Sequence, residues 1–229
     1  MKISHLITCS IETDTLNRLL FKVCNTILPS DEIIILQDVN SSSNTTTIIQ
    51  KYIREFPNSI IHVIHDLNNN YGAHKNFGIE KCNGDYIWQL DGDELPPDYL
   101  LSENIHALLT ENPTIEAFAV PRINDFKGVT QEHATKWGWK LSPSPMCDNR
   151  PIVNFPDFQF RVFKKLYPRI SFTRRLHEKI EGYTTFVALP SEEDYALYHD
   201  KTIEKQVETN LRYNKQFTEK ENQGHSVFK

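Results

Sequence analysis

Tyr86-Ile87-Trp88-Gln89-Leu90-Asp91-Gly92-Asp93-Glu94 runs from an apolar, strand-like stretch straight into three carboxylates. Aromatic and β-branched residues suit a pleated, buried surface, so the pattern predicts a strand from Asp85 to Leu90. In open parallel sheets, ligands bind beyond the carboxyl ends of the strands. The acid cluster therefore stands where chemistry is expected. Asp91, Asp93 and Glu94 repel one another, and a divalent cation is the usual partner that offsets such repulsion. Mg²⁺ and Mn²⁺ prefer oxygen ligands and bridge carboxylates to phosphate oxygens. A metal held there would neutralise charge on a departing diphosphate. Gly92 carries no side chain, which leaves room for a ligand against the backbone. The competing reading is a solvated acidic turn ahead of Pro96-Pro97. Asp-x-Asp is a common tripeptide, and the strand before it is what favours the metal.

Upstream of this stretch, strand-like and helix-like segments alternate, the signature of an α/β domain with a parallel sheet. Ile3 to Thr8 reads as a buried strand. Thr13 or Asp14 caps a helix through Ile27, with Leu16, Leu19, Leu20, Val23 and Ile27 on one face. A β-branched strand follows at Glu32 to Gln37, then a polar loop at Asn40 to Asn44 and a helix from Thr45 to Phe56. A third strand, Ile60 to Ile64, precedes the loop Asn68-Asn69-Asn70-Tyr71-Gly72 and a helix from Ala73 to Lys81.

Downstream the pattern loosens. A helix is predicted over Tyr99 to Leu109 and a strand over Ala117 to Arg122. Residues 124 to 157 mix Gly, Pro, Trp and Asn without a period and read as a long irregular or lid-like segment. A strand at Phe158 to Lys164 and a polar helix from Thr202 to Glu221, broken at Gly224, complete the chain. The expected organisation is one domain over residues 1–229. Its parts are a ligand-binding half (1–100), an acceptor or catalytic half (101–200), and a C-terminal helix and tail (201–229).

Composition narrows the function. The 229 residues are 39% hydrophobic, enough for one substantial core. A formal net charge of −5 gives no electrostatic reason to expect a nucleic-acid partner. The basic runs Lys164-Lys165 and Arg174-Arg175 are short, and a solvated face is favoured over contact with phosphates or anionic lipid. Cys9, Cys24, Cys82 and Cys147 lack the close pairing of zinc sites. Without a disulfide pattern they point to a reducing compartment. The opening residues do not resemble a signal peptide, and no apolar run reaches membrane-spanning length. A cytoplasmic location with at most peripheral membrane contact is expected. Asn40-Ser41-Ser42 and Asn44-Thr45-Thr46 match the glycosylation pattern, but read as an Asn- and Thr-rich loop.

The order of motifs resembles family 2 glycosyltransferases of GT-A fold, Rossmann-like domains with a mostly parallel sheet flanked by helices. The motifs are Ile33-Ile34-Ile35-Leu36-Gln37-Asp38, Asn69-Asn70-Tyr71-Gly72 with Lys75-Asn76, and Gly84-Asp85-Tyr86-Ile87 leading into the acids. Phe160-Arg161-Val162-Phe163 and Arg175-Leu176-His177-Glu178-Lys179-Ile180 are similar to a branch with a His-Glu motif. That branch holds lipopolysaccharide-core glucosyltransferases and peptide glycosyltransferases. The resemblance extends to about residue 210.

It implies an inverting, metal-dependent transfer from a nucleoside diphosphate-sugar, UDP by default, to a glycan, lipid-linked or protein acceptor. Mn²⁺ or Mg²⁺ would be the cofactor. Asp93 and His199 would hold the metal, with an N-terminal cap of the last helix as the alternative setting for His199. Donor contacts would come from Thr8, Ser10, Glu12, Asp38, Asn70, Lys75 and Asp91. The usual Tyr-Asn pair after the first strand is absent, with Ile11-Glu12 nearby instead, and Asn70 could equally shape its loop. Lys75 would face the diphosphate unless it is a surface lysine. Glu178 would be the base that takes the acceptor's proton, against an exposed, salt-bridged glutamate, while His177 would orient the loop or meet the diphosphate. Trp137 and Trp139 offer flat faces for a sugar ring, although core packing is as common.

Two other functions compete. A sugar nucleotidyltransferase would need a Gly-rich loop, and Thr8 to Thr15 contains no glycine. A non-catalytic carbohydrate- or nucleotide-binding protein of the same fold would have no need of intact acids and a base.

Overall fold

The first strand, β1 (Ile3–Cys9), is buried along its whole length. So is β2 (Glu32–Asp38), as expected where helices cover both faces of a parallel sheet. In the computed structural model, which describes residues 1–222 apart from 102, 145, 146 and 148, β1 lies between β2 and β4 (Tyr86–Asp91). β3 (Ile60–His65) pairs with β2, and all four of these strands are parallel. The chain thus builds outward from β1 in one direction and returns through α3 (Tyr71–Lys81) to build β4 on its other side. That reversal opens a crevice at the carboxyl ends of β1 and β4.

Alternation along the strands separates two apolar layers. Ile3, Ile7, Ile33, Ile35, Trp88 and Leu90 pack with α1 (Asp14–Thr26), α2 (Ser43–Glu55) and α4 (Glu103–Glu111). Leu6, Ile34, Leu36 and Ile87 pack on the opposite face with α3. The same sheet then takes strands from beyond residue 100. β10 (Gln159–Lys164) runs antiparallel to β4, β6 (Ala117–Val120) antiparallel to β10, and β13 (Phe186–Ala188) closes the edge. The seven-stranded order is β13-β6-β10-β4-β1-β2-β3. The strands of the two expected halves therefore lie side by side in one sheet, meeting where β10 pairs with β4.

Several expectations change. The strand expected to reach Arg122 stops at Val120, and Pro121 separates it from β7 (Arg122–Lys127). The described residues between 124 and 157 hold strands and a helix rather than an irregular lid. β7, α5 (Gln131–Trp137), β8 (Leu141–Pro143) and β9 (Pro151–Val153) fall within or across that segment. With β5 (Glu94–Leu95) and β14 (Leu197–Thr202) they form a second sheet, ordered β5-β14-β7-β9-β8. Short strands that satisfy each other over long sequence distances leave little local period to read. The helix expected at Tyr99 to Leu109 is a 3₁₀ turn, Asp98–Leu100, followed by α4, because Leu101 turns extended between them. The last helix, α6 (Ile203–Gln216), is shorter than expected, and Thr202 caps it by accepting from Lys205 N. The break proposed at Gly224 lies outside the described residues. The four cysteines are buried and unpaired. Among the described residues, no helix is long and apolar enough to cross a membrane.

Candidate active site

Asp91 ends β4 inside a basic cage. Its Oδ1 lies 2.7 Å from Lys75 Nζ on α3, and its Oδ2 lies 2.7 Å from Arg161 Nη2 on β10. The Thr8 hydroxyl and the Gln89 amide also donate to Oδ1, each at 2.9 Å. Burial alone would raise this carboxyl, but Arg161 and Lys75 hold it well below the usual carboxylate range. Glu94, fully buried, is tied to Arg161 and to Arg122, and Arg122 also grips Asp157 at 2.6 Å. Two of the three acids in the cluster are thus neutralised by the protein's own cations. Glu94 supports the cluster and has no side facing solvent.

Asp93 is different. Its carboxylate is about a third exposed (36%), and among the described residues its one ion-pair partner is His199 Nε2 at 3.2 Å. Burial would raise the group, yet the charge and hydrogen bond of His199 prevail and hold it at about 2. His199 sits on β14, in register with Asn124 of β7 and Glu94 of β5. Asn124 Nδ2 donates to Asp157 and to the Val153 carbonyl, so its Oδ1 is the acceptor for His199 Nδ1 at 2.9 Å. That bond places a proton on Nδ1 and aims Nε2 at Asp93, to which Nε2 donates in the ion pair. A cation that displaced this second proton would meet the Nε2 lone pair in the orientation a metal-ligating imidazole needs, with the Asp93 carboxylate opposite. Among the described residues, no three His, Cys, Asp or Glu form a ready-made metal cage, so substrate oxygens would have to complete the shell.

Gly92 serves another purpose than the ligand clearance expected of it. A Cβ there would meet Cys9 Cβ and the Thr8 carbonyl at 3.2 Å, and Gly92 N donates to that carbonyl at 2.8 Å. The space beside it is filled by the end of β1.

Glu178 arrives on the hairpin β11 (Ser171–Thr173) and β12 (Lys179–Glu181), which pairs antiparallel. Its carboxylate lies 2.6 Å from Lys75 Nζ, so Lys75 bridges Asp91 and Glu178. Lys75 is buried (3%), not a surface lysine, and its third neighbour is Gln89 Oε1 at 3.4 Å. An ammonium has three donors, and here all three face the cluster rather than open solvent. Burial would lower Lys75, but Asp91 and Glu178 raise it.

The hairpin is seated on α3 by two devices. Asn76 donates to the Phe172 carbonyl at 2.8 Å and accepts from Phe172 N at 2.7 Å. At Gly72, an added Cβ would stand 2.3 Å from the Arg174 carbonyl, so only glycine allows this approach. The turn between the strands places Arg174 and His177 in the left-handed region, with φ of 70° and 52°. His177 faces Asn222 at 3.4 Å and Tyr213 edge-on, away from the acids.

The remaining donor candidates line the crevice mouth. Ser10 Oγ donates to Asp38 Oδ2 at 3.2 Å, and the Asn40 and Leu67 amides donate to Asp38 Oδ1. Glu12 accepts from Ser10 N at 2.6 Å, and burial together with the Asp93 charge raises its carboxyl. Asn70 caps α3 by accepting from Ala73 N at 3.0 Å, which is the loop-shaping alternative. Arg161, Arg122, Asn124 and Asp157 carried no assigned role in the sequence. The available signal was Arg161 itself, a charge inside the apolar run Phe160 to Phe163.

A doubly wound sheet with an acid cluster at its switch point, a facing histidine and an incoming glutamate defines a GT-A glycosyltransferase domain. The sequence profile described as Glycosyl transferase family 2 matches residues 4–175, three quarters of the chain, and the protein belongs to that family. Among solved structures it is similar to S. aureus TarS, with a TM-score of 0.58 and 14% identity. That match covers 89% of this chain and 37% of TarS. S. aureus TarS 1-349 in complex with UDP-GlcNAc matches with a TM-score of 0.56 and 14% identity, covering 88% of this chain and 59% of that one. The chain thus spans well under two thirds of either, and identities this low speak for the fold alone. No curated protein matches the chain.

Proposed function

We propose that the protein is a metal-dependent, inverting glycosyltransferase that moves a hexosyl unit from a UDP-sugar to a glycan, lipid-linked or protein acceptor. The observation that carries this reading is the bridge made by Lys75. It ties Glu178, on a hairpin eighty-odd residues downstream, to Asp91 at the strand end. Donor phosphates and a proton acceptor would then meet over one point. The UDP-GlcNAc complex of TarS 1-349 supports a uridine nucleotide in a crevice of this fold.

In the proposed reaction, the acceptor hydroxyl attacks the anomeric carbon while the bond to the diphosphate breaks on the opposite face. Glu178 takes the hydroxyl proton as the new glycosidic bond forms. Lys75 and the Asn76 clamp hold that carboxylate in place. Asp38, Ser10, Thr8 and Glu12 line the mouth where base and ribose would bind, and Asp91 fixes the floor. Asp93 and His199 would hold Mn²⁺ or Mg²⁺, which when bound supplies positive charge to the leaving diphosphate. The four unpaired, buried cysteines fit a reducing, cytoplasmic setting.

Asp93→Ala tests the reading. Transfer and donor hydrolysis should fall on the order of 10²-fold or more, and the Mn²⁺ dependence of UDP binding by calorimetry should vanish, with an unchanged circular dichroism spectrum. Turnover equal to the parent's would overturn it.

A further inference from the structure

Four aromatic rings run outward from His199. Phe126 meets His199 edge-on at 5.5 Å between centroids, Trp139 lies 5.3 Å from Phe126, Trp137 lies 4.6 Å from Trp139, and His133 stacks on Trp137 at 5.3 Å. The backbone brings the two indoles together deliberately. Gly138, between them, takes the left-handed conformation (φ 66°) that ends α5, and Trp139 N folds back to the Ala134 carbonyl at 2.8 Å.

Core packing does not account for this arrangement. Neither Trp137 nor Trp139 joins any of the three apolar clusters of the fold, both are half-buried, and Ala134 is the one fully buried residue of α5. Among the described residues, no protein acceptor meets either indole N–H. An added Cβ at Gly138 would face open space. The result is two flat, amphipathic faces with free donors, joined through the buried Phe126 to the ring that faces Asp93. Pyranose rings match such a surface: one face is C–H, the rim is hydroxyl, and indoles offer a π-face beside an N–H. A site with apolar walls and a few convergent polar groups is the usual form of a small-ligand pocket.

The geometry points to an acceptor platform: the substrate that receives the sugar is a glycan, and a pyranose of that glycan stacks on Trp137 and Trp139 on its way to the catalytic cluster. This rests on the transferase reading above, because the platform is assigned to the acceptor by its continuity with His199.

The protein has three tryptophans, and Trp88 is fully buried, so sugar-dependent emission reports on this pair. Cellohexaose, chitohexaose and maltohexaose are titrated against the full chain, the Trp137→Ala variant and the Trp137→Phe variant. UDP with Mn²⁺ is titrated by calorimetry on the same samples. The expected result is an emission change with at least one oligosaccharide, weakened about tenfold in Trp137→Ala and partly restored in Trp137→Phe, with UDP affinity unchanged. An absence of response to all three sugars, or equal binding by Trp137→Ala, overturns the platform. Sugar transfer to an unfolded protein at the same rate in parent and Trp137→Ala overturns it as well, in favour of a peptide acceptor. UDP binding without sugar binding removes the platform and leaves the transferase reading. Sugar binding without UDP binding overturns the transferase reading and with it the acceptor assignment, leaving a sugar-binding surface.

Discussion

The seven-stranded and five-stranded sheets meet at Asp91-Gly92-Asp93 and treat the two aspartates in opposite ways. From the larger sheet and its helix come Arg161 and Lys75, which enclose Asp91 with full positive charges. From the smaller sheet comes a single imidazole, His199, whose tautomer is set by Asn124 and which leaves Asp93 partly open. Two identical side chains separated by one glycine thus have different tasks. One belongs to the scaffold, and the other stays open, as the metal proposed above requires. An Asp-x-Asp motif read as two equivalent ligands would miss this division.

Removing the scaffold's cation should have the largest effect. Arg161→Met leaves Glu94 buried beside Asp91 with half its compensation gone. Breaking a buried pair of this kind costs about 3–5 kcal/mol. Urea unfolding should show that loss, and a change below about 1 kcal/mol would mean the cage is not what holds the acids. On the open side, Glu178→Gln keeps shape and hydrogen bonding but cannot accept a proton. Turnover should fall about 10²–10⁴-fold with UDP affinity retained, and the unfolding midpoint should drop as Lys75 loses one of its two carboxylates. A matching loss of UDP affinity would instead make Glu178 a donor ligand. A smaller effect is expected for Asn124→Ala, which frees the His199 tautomer. Mn²⁺ affinity should weaken about 10–100-fold, measured by calorimetry in the presence of UDP.

The first four strands were legible because they are apolar or β-branched runs set between helices, of which α1 carries a clean apolar face of Leu16, Leu19, Leu20 and Val23, whereas the edge strand β13 was not read. The acid cluster was legible because a strand led into it. What could not be read was partnership. Nothing near Arg161 in sequence says that it meets Asp91 and Glu94, since those contacts span 70 and 67 residues. The second sheet was hidden for the same reason. β8 and β9 are three residues each, too short for any period to emerge, and β14 is half polar along its length. Gly72 was visible as part of a loop motif, but its cause, the Arg174 carbonyl, lies a hundred residues away.

The smallest effect is on pH dependence, and it separates the sheets again. On the larger sheet's side, burial and, for His74, the neighbouring His65 hold two histidines neutral, His5 and His74 each at about 4. The unfolded chain binds protons at about 6.5. Between these values it holds more protons than the folded state, so stability rises with pH from about 4 to 6.5 and then levels. Asp93 adds a second, lower limb: its stabilising effect is present above the ordinary carboxylate range and is lost as pH falls towards about 2. Urea midpoints across pH should show both. His74→Asn should flatten the upper limb, and Asp93→Asn the lower.

The pairing of Asp93 with His199 joins residues 106 positions apart. Closing a loop of that length comes late in folding, after nearer contacts have formed. During synthesis, β1 through β4 can pair while the ribosome is still adding the second half of the chain. His199 emerges 106 residues after Asp93, so β4 can be in place well before its facing imidazole is. A chain interrupted before β14 would keep the caged Asp91 and lose the partner of Asp93.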